Sequence, residues 1–207
     1  MKTPSATITE VEALERLYGA VAKPSLTKVT HHIHPAYRPF IESSPFVALA
    51  TSGAEGMDIS PRGDPAGFIH IEDDHTLLLP DRRGNNRIDS LRNLLLDNRV
   101  ALLFLIPGIG ETLRVNGTAE ISIDPALLAR FSVDNHLPLC VIRIHVQRVF
   151  FQCSRAILRS RLWDPALQLP RTALPSTGTI LKQISHDEID GEAYDNALPE
   201  RLKTTLY

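Results

Sequence analysis

Between residues 46 and 153 the sequence is a series of short apolar or alternating runs, each ended by residues that favour turns. The runs have the length of β-strands, and most of the connections between them are short. They span residues 46–52, 57–64, 67–72, 76–80, 100–107, 112–122 and 139–153. Because short connections join antiparallel neighbours, the pattern predicts six or more mainly antiparallel strands. The predicted fold class is therefore mainly β, a β-barrel with flanking helices.

Turn residues indicate where the strands of this sheet reverse direction. Gly-Ala-Glu-Gly at residues 53–56 joins the first two runs as a hairpin, and residues 73–75 make another tight turn. The pair Asn116-Gly117 lies inside a run rather than between two runs. A glycine within a strand marks a bulge or a bend, so we expect one at this pair.

Helical spacing of apolar residues is confined to short segments around the strands. The predicted helices span residues 9–22, 34–43, 87–96 and 124–132. Thr9 with Glu12 predicts a capping box at the start of the first helix, which Pro24 ends. Asp124 as cap and Pro125 at the first helical position predict the start of the last. Beyond residue 154, proline, polar residues and short helical pieces alternate.

Composition argues against several classes of partner. The 207 residues carry a formal net charge of -2 and no polybasic run, so neither a nucleic acid nor a membrane surface is an expected partner. No apolar run approaches the roughly 20 residues of a membrane span, and residues 1–10 lack the apolar core of a signal peptide. We therefore expect a cytoplasmic protein.

Cysteines and histidines give no strong metal motif. Cys140 and Cys153 are too few for a disulfide framework or a zinc site, and their apolar surroundings predict buried free thiols. His31, His32 and His34 form a cluster in which neighbouring side chains point in different directions. A metal site and a solvated loop before a helix both remain open for this cluster; we favour the loop and expect no metal.

The segment that follows Pro80 concentrates positive charge and hydrogen-bond donors. Its side chains are those of Arg82, Arg83, Asn85, Asn86 and Arg87, around the flexible Gly84. A helix is predicted to begin there, and the first N–H groups of a helix lack internal partners and carry partial positive charge. Because arginine grips phosphate through paired N–H bonds, the corner between strand and helix predicts a phosphate site.

Residues of an earlier strand extend this candidate site. Ser60, Arg62 and Gly63 end a predicted strand that can lie beside the corner. The alternative is a solvated loop with surface arginines, whose charge Asp81 and Asp89 partly neutralise. The context of the rest of the sequence favours the phosphate site.

The ordered set of segments from about residue 35 to 165 resembles a known family. SPFVALATSGAEGMDISPRGDPAGFIHI, LLLPDRRGNNRIDSLRNLLLDNRVALLFLIPG and ETLRVNGTAEIS follow in order, and FQCSRAILRSRLWDP comes later. The set resembles the pyridoxamine 5'-phosphate oxidase-related, FMN-binding split-barrel proteins. It is most similar to the branch described as FMN-dependent, flavin-nucleotide-binding proteins.

The resemblance implies a six-stranded antiparallel split barrel and a homodimer with FMN in clefts at the subunit interface. It also divides the chain into three parts. A helical extension would span residues 1–34, the FMN-binding barrel 35–165, and a C-terminal extension 166–207, packed on the barrel or on the partner subunit.

The resemblance also assigns roles to individual residues. Asn86 and Arg87, with Arg82 close by, fall on the phosphate-binding corner, and Arg62 falls on a basic position of the preceding strand. The backbone of Pro80 and Asp81 would meet the edge of the isoalloxazine ring. Residues at two further places would reach or cover the cofactor, in part from the second subunit: Thr112, Arg114, Phe151, Arg159, Ser160, Arg161 and Trp163.

The sequence departs from the oxidases proper at two places. Gly84 to Arg87 replace a Ser-Arg-Lys run, and Ile157 and Arg159 do not suit the substrate-binding R-x-H pattern, so pyridoxamine phosphate oxidase activity itself is not expected. The leading hypothesis is an FMN-dependent oxidoreductase acting on a small molecule, with catalytic residues unknown. The alternatives are a non-catalytic flavin carrier or sensor, and a haem- or deazaflavin-binding relative with His70 or His145 as the axial ligand to haem.

Overall fold

The computed structural model of the protein describes residues 7–207 and is built on a single antiparallel β-sheet. Its strands are β1 Phe46–Gly53, β2 Gly56–Gly63, β3 His70–Asp73, β4 Thr76–Asp81, β5 Arg99–Leu105, β6 Thr112–Ser122 and β7 Cys140–Gln152. The mainly β, antiparallel class is confirmed, with seven strands instead of six. The additional strand is the short β3, which lies at the edge of the sheet and pairs only with β4.

The sheet curls round so that strands far apart in its order approach one another. The order is β2-β1-β5-β6-β7-β4-β3, which places β2 at one edge and β4 beside the other edge. Nevertheless, the side chain of Arg62 on β2 pairs with that of Asp81 at the end of β4. The two ends of the sheet are therefore close without sharing backbone hydrogen bonds, which is the form of a split barrel.

Alternation of buried and exposed residues places the core inside the curled sheet. On β1 the side chains of Val47 and Leu49 are fully buried, and their neighbours point outward. β4 differs because all six of its residues are buried. Leu77 and Leu79 belong to the main core, whereas Leu78 packs on the opposite face in a second, small cluster.

The expected irregularity at Asn116-Gly117 is confirmed by the pairing of β6 with β7. Asn116 lies opposite Arg148 and Gly117 lies opposite Val146, so Gln147 is the extra residue. Gln147 and Arg148 are consecutive exposed residues, as a bulge requires. Gly117 is needed at this point because a Cβ there would lie 2.1 Å from the carbonyl oxygen of His145.

Short helices surround the sheet within residues 7–207. They are α1 Val11–Tyr18, α2 Lys23–Thr27, α3 Arg38–Glu42, α4 Asp89–Leu96, α5 Pro125–Ala129, α6 Arg155–Ser160, α7 Thr177–Ile184 and α8 Gly191–Thr204. None of these helices has the length and apolar character that a bilayer-spanning helix needs.

The expected helix starts were right at α5 and wrong at α1. Asp124 caps α5 by accepting a hydrogen bond from the backbone N–H of Ala126 at 2.9 Å. The capping box of Thr9 with Glu12 does not form, because α1 begins one residue later, after Glu10. Pro24 does not end that helix either, since Gly19 ends it with a positive φ of 72°.

Candidate functional site

Strand β2, the end of β4 and the start of α4 surround a cleft of about 560 Å³, which we call the corner cleft. Among its lining residues are eight that the sequence assigned to a site: Ser60, Arg62, Gly63, Pro80, Asp81, Arg82, Asn86 and Arg87. Strands β2 and β4 bring these residues together because the sheet curls. The remaining polar loop residues, Arg83, Gly84 and Asn85, also line the cleft.

Arg62 and Asp81 form an ion pair at the base of the corner cleft. Their side chains are only 20% and 11% exposed, and Arg62 Nη1 donates to Asp81 Oδ1. Arg62 Nε is buried and has no hydrogen-bond partner within residues 7–207. Burial of an unsatisfied donor is costly, so this guanidinium retains hydrogen-bonding capacity beside the cleft.

Arg82 is held in place by two acceptors on the other side of the corner cleft. Its Nε donates to Asp64 Oδ2 at 2.8 Å, and its Nη1 donates to the carbonyl oxygen of Phe131 at 2.6 Å. The Asp64 side chain is 4% exposed and that of Arg82 18% exposed. A planar guanidinium fixed at two of its nitrogens is well positioned to meet a ligand with the third.

Arg83 and Arg87 supply the exposed part of the positive charge. Arg87 Nε donates to Asp89 Oδ2 at 2.7 Å, and this hydrogen bond raises the pKa of Arg87. Arg83 has no ion-pair partner in the part of the chain that the structure describes. Four arginines and three aspartates line the cleft, which leaves an excess of positive charge.

The backbone at the start of α4 adopts an unusual conformation. Asn86 and Ile88 have φ values of 59° and 51°, in the left-handed region. For a β-branched residue such as Ile88 this costs roughly 1–2 kcal/mol, and such strain is often kept at binding sites. No side chain in the described part of the chain caps α4. Its first N–H groups therefore remain able to bind an anion.

Seven of the assigned residues do not line the corner cleft of one chain. Arg114 lies on the outer face of the sheet over the ring of Phe150, at 4.9 Å from the ring centroid. Trp163 Nε1 donates to the carbonyl oxygen of Ile109 at 2.7 Å. The other five are Thr112 on β6, Phe151 on β7, Arg159 and Ser160 on α6, and Arg161 directly after α6. Their assignment to a cofactor stays a prediction, which a second subunit would have to fulfil.

Sequence reasoning missed several residues that shape the corner cleft. Asp58 on β2 accepts a hydrogen bond from Ser90 Oγ at 2.7 Å and so ties β2 to α4. Asp64 was not recognised as the partner of Arg82. Tyr207 was also missed, although its hydroxyl donates to Asp64 Oδ1 at 2.6 Å. No local pattern signals a contact across 143 residues of sequence.

The histidines lie away from the corner cleft. His31 Nδ1 is 2.9 Å from the carbonyl oxygen of Gln147, and the ring of His32 is 6.1 Å from the rings of His34 and His75. Over residues 7–207 no group of three His, Cys, Asp or Glu residues is arranged to hold a metal. His70 and His145, the candidate haem ligands, are exposed strand residues outside the cleft lining.

The two cysteines differ, which corrects the expectation that both are buried. Cys140 is buried at the start of β7. Burial, with the nearby charge of Asp81, raises its pKa to about 11. Cys153 is exposed because it follows the end of β7. A backbone hydrogen bond from Arg155 and the positive charges of Arg155 and Lys28 lower its pKa.

We expect a thiol reagent such as Ellman's reagent to modify one cysteine of the folded chain rapidly. This residue is Cys153, because it is accessible and its lowered pKa gives more thiolate at neutral pH. Cys153→Ser should abolish the rapid phase, and Cys140→Ser should leave it unchanged. Rapid reaction that persists in Cys153→Ser would contradict the assignment.

The chain thus combines a split barrel with an arginine-rich cleft between the end of a strand and the start of a helix. The family model described as pyridoxamine 5'-phosphate oxidase matches residues 33–153, and the chain belongs to this family. No protein with curated function matches the chain.

Several solved structures are similar to this chain. HupZ of Group A Streptococcus has 22% identity and a TM-score of 0.48, covering 59% of this chain and 95% of HupZ. A Clostridium acetobutylicum protein related to general stress protein 26, of the pyridoxinephosphate oxidase family, has 17% identity and a TM-score of 0.45, covering 57% and 86%. An F420 reductase has 20% identity and a TM-score of 0.39, covering 55% and 94%.

Proposed function

We propose that the protein binds FMN in the corner cleft and acts as an FMN-dependent oxidoreductase on a small molecule, as a homodimer in the cytoplasm. The observation that carries this proposal is the meeting of four arginines with the uncapped start of α4 in one cleft. Family membership adds support, because flavin is a common ligand of this family. The volume of about 560 Å³ is within the range of cofactor and ligand sites.

The residues of the corner cleft suit the two ends of FMN. Arg83 and Arg87, which are exposed donors, would hold the phosphate together with the first N–H groups of α4. The buried Arg62 Nε offers a further donor to the polar edge of the ring system. Phe68 and Leu139 provide apolar wall to the same cleft, against which a ring can pack.

Bound FMN would supply the redox chemistry, and the chain would supply position and electrostatics. The excess of arginine favours a ligand that carries negative charge, and the curled sheet shields one side of the cleft from water. Within residues 7–207, the only titratable side chains that line the cleft are those of three aspartates and four arginines. Proton transfer to a substrate would therefore rely on the substrate, on water or on the partner subunit.

Exposed apolar residues next to the corner cleft support a homodimer. Met57 and Ile59 on the edge strand β2 are 79% and 71% exposed, and Leu95 and Leu96 on α4 are similarly exposed. Such a patch is typical of a protein interface. A second copy packed there is the proposed source of residues that reach the cofactor, as the family resemblance implies for Thr112 and Arg114. The resemblance also places Arg159, Ser160 and Trp163 in the segment that covers the cofactor.

The second candidate function is a flavin carrier or sensor without turnover. Among the described residues, no histidine, cysteine, lysine or tyrosine lines the cleft, and this favours a carrier or sensor. Stopped-flow mixing of the FMN-loaded protein with NADH or NADPH separates the two. Loss of the flavin absorbance followed by reoxidation with an acceptor supports an oxidoreductase. A flavin that no donor reduces would support the carrier or sensor.

Arg87→Ala is expected to weaken FMN binding about tenfold, the low end for loss of a hydrogen bond to a charged group, because Arg87 is exposed and shares its charge with Asp89. Riboflavin, which lacks the phosphate, should bind equally well to wild type and variant. Titration calorimetry with both ligands measures the difference.

Arg92→Ala is the matched control for this measurement. Arg92 lies on α4, is also exposed and is 3.8 Å from the same Asp89, but it does not line the corner cleft. The variant Arg92→Ala should leave the affinity for FMN unchanged. An equal loss for FMN and riboflavin in Arg87→Ala would show that this corner does not hold the phosphate.

A further inference from the structure

The segment after α8 returns to the barrel and ends beside the corner cleft. Tyr207 is partly buried, and its hydroxyl donates to Asp64 Oδ1 at 2.6 Å. Asp64 follows β2, so this contact joins the C-terminal segment to the strand that forms one wall of the cleft. The preceding helices α7 and α8 pack on each other. Tyr207 holds the segment after α8 against the barrel through its contact with Asp64.

Tyr207 contacts both members of an ion pair. Asp64 accepts from Tyr207 through Oδ1 and from Arg82 Nε through Oδ2 at 2.8 Å. The guanidinium of Arg82 also lies over the ring of Tyr207, at 5.6 Å from the ring centroid. A carboxylate that is 4% exposed needs hydrogen bonds to both oxygens, and Tyr207 provides the second of them.

Arg82 carries the effect of Tyr207 into the corner cleft. Two of its three guanidinium nitrogens are engaged, by Asp64 and by the carbonyl oxygen of Phe131. Over residues 7–207 its Nη2 has no protein partner, and Arg82 lines the cleft. The direction in which this nitrogen can donate is therefore fixed by Asp64, and the position of Asp64 is fixed in part by Tyr207.

We infer that Tyr207 is a positioning residue for the anion-binding part of the corner cleft, acting through Asp64 on Arg82. Docking of Tyr207 and binding of a phosphate-bearing ligand then favour each other, since each stabilises the same placement of Arg82. The inference rests on the proposed function, because it assumes that the ligand is FMN or another molecule that carries a phosphate group.

The charges around Tyr207 keep its hydroxyl in the donor form. The hydrogen bond to Asp64, together with burial and the negative charges of Asp64 and Asp134, raises the pKa of Tyr207, and Arg82 opposes this shift. A raised pKa in the folded chain means that the contact contributes its full stability below the usual tyrosine pKa near 10, and that this stability is lost as pH rises through the higher pKa of the folded chain. The contact is thus intact throughout the neutral range.

The test compares Tyr207→Phe with wild type in titrations with FMN and with riboflavin. The phenylalanine keeps the ring over Arg82 and removes only the hydroxyl. We expect about tenfold weaker binding of FMN and unchanged binding of riboflavin. Tyr194→Phe is the matched control, because Tyr194 stacks with Arg201 and its hydroxyl has no partner within residues 7–207.

Two outcomes of these titrations would overturn the inference. One is wild-type affinity for FMN in Tyr207→Phe. The other is an equal loss for FMN and riboflavin, because a merely structural role would affect both ligands.

A second measurement does not require flavin. Inorganic phosphate, compared with chloride at equal ionic strength, should slow amide hydrogen exchange in residues 198–207 of wild type and have no such effect in Tyr207→Phe. If wild type binds neither FMN nor riboflavin, the proposed function fails, and this exchange measurement alone decides the inference. Equal exchange in phosphate and chloride would then overturn it.

Discussion

Arg62→Ala is expected to lower the free energy of unfolding by about 3 kcal/mol, the low end for breaking a buried ion pair. The substitution leaves Asp81, a residue only 8% exposed, without the guanidinium that now neutralises it. It also removes a contact between β2 and β4, two strands that share no backbone ladder. Urea denaturation without added flavin measures the change and separates the fold from cofactor binding.

Arg143→Ala provides the control for this measurement. Arg143 pairs with Glu120 at 3.3 Å on the outer surface of the sheet, where the two side chains are 31% and 61% exposed. Exposed pairs of this kind contribute about 0–1 kcal/mol. If Arg62→Ala costs no more than Arg143→Ala, then the pair with Asp81 does not hold the two ends of the sheet together.

A double-mutant cycle that combines Arg62→Ala with Asp81→Ala isolates the interaction energy of this ion pair. Removal of both partners should cost less than the sum of the single changes, because no uncompensated charge then remains buried. The coupling energy measures the interaction across the split of the barrel.

Local patterns predicted the strands and the corner well, since their causes are local. The alternation over residues 112–122 coincides with β6, and the segment from Pro80 to Arg87 forms one wall of the cleft. The hydrogen-bond donors between Pro80 and Arg87 are neighbours in sequence, so they remain close together in any fold in which the chain turns there. The register shift at Asn116-Gly117 was predictable for the same reason, because it follows from a glycine within a strand.

Contacts between distant parts of the chain were not predictable from such patterns. Asp64 and Tyr207 are ordinary polar residues in sequence, and only the folded chain brings them together with Arg82. The exposure of Cys153 was missed because strand-like sequence continues to the end of β7, where burial stops. The proposed contribution of β6 and α6 to a second subunit depends on assembly, which local patterns in one sequence do not encode.

The bulge between β6 and β7 sets the register of the longest strand pairing in the sheet, and Gly117 permits it. Gly117→Ala would place a methyl group 2.1 Å from the carbonyl oxygen and 3.0 Å from the carbonyl carbon of His145. These are backbone atoms within β7, so they cannot move aside as the end of a flexible side chain can. Relief requires the two strands to separate or to change register, which would turn buried residues such as Val115 and Val146 outward.

We therefore expect Gly117→Ala to lower the free energy of unfolding by about 3 kcal/mol or more, at or above the usual range for overpacking. For a chain of this length the midpoint of thermal unfolding should fall by roughly 6–12 °C, which circular dichroism measures. Gly84→Ala is the control, because a Cβ at Gly84 meets no atom within 4 Å and its φ is not positive. If the midpoint of thermal unfolding of Gly117→Ala equals that of Gly84→Ala, then β6 and β7 are not paired in the described register.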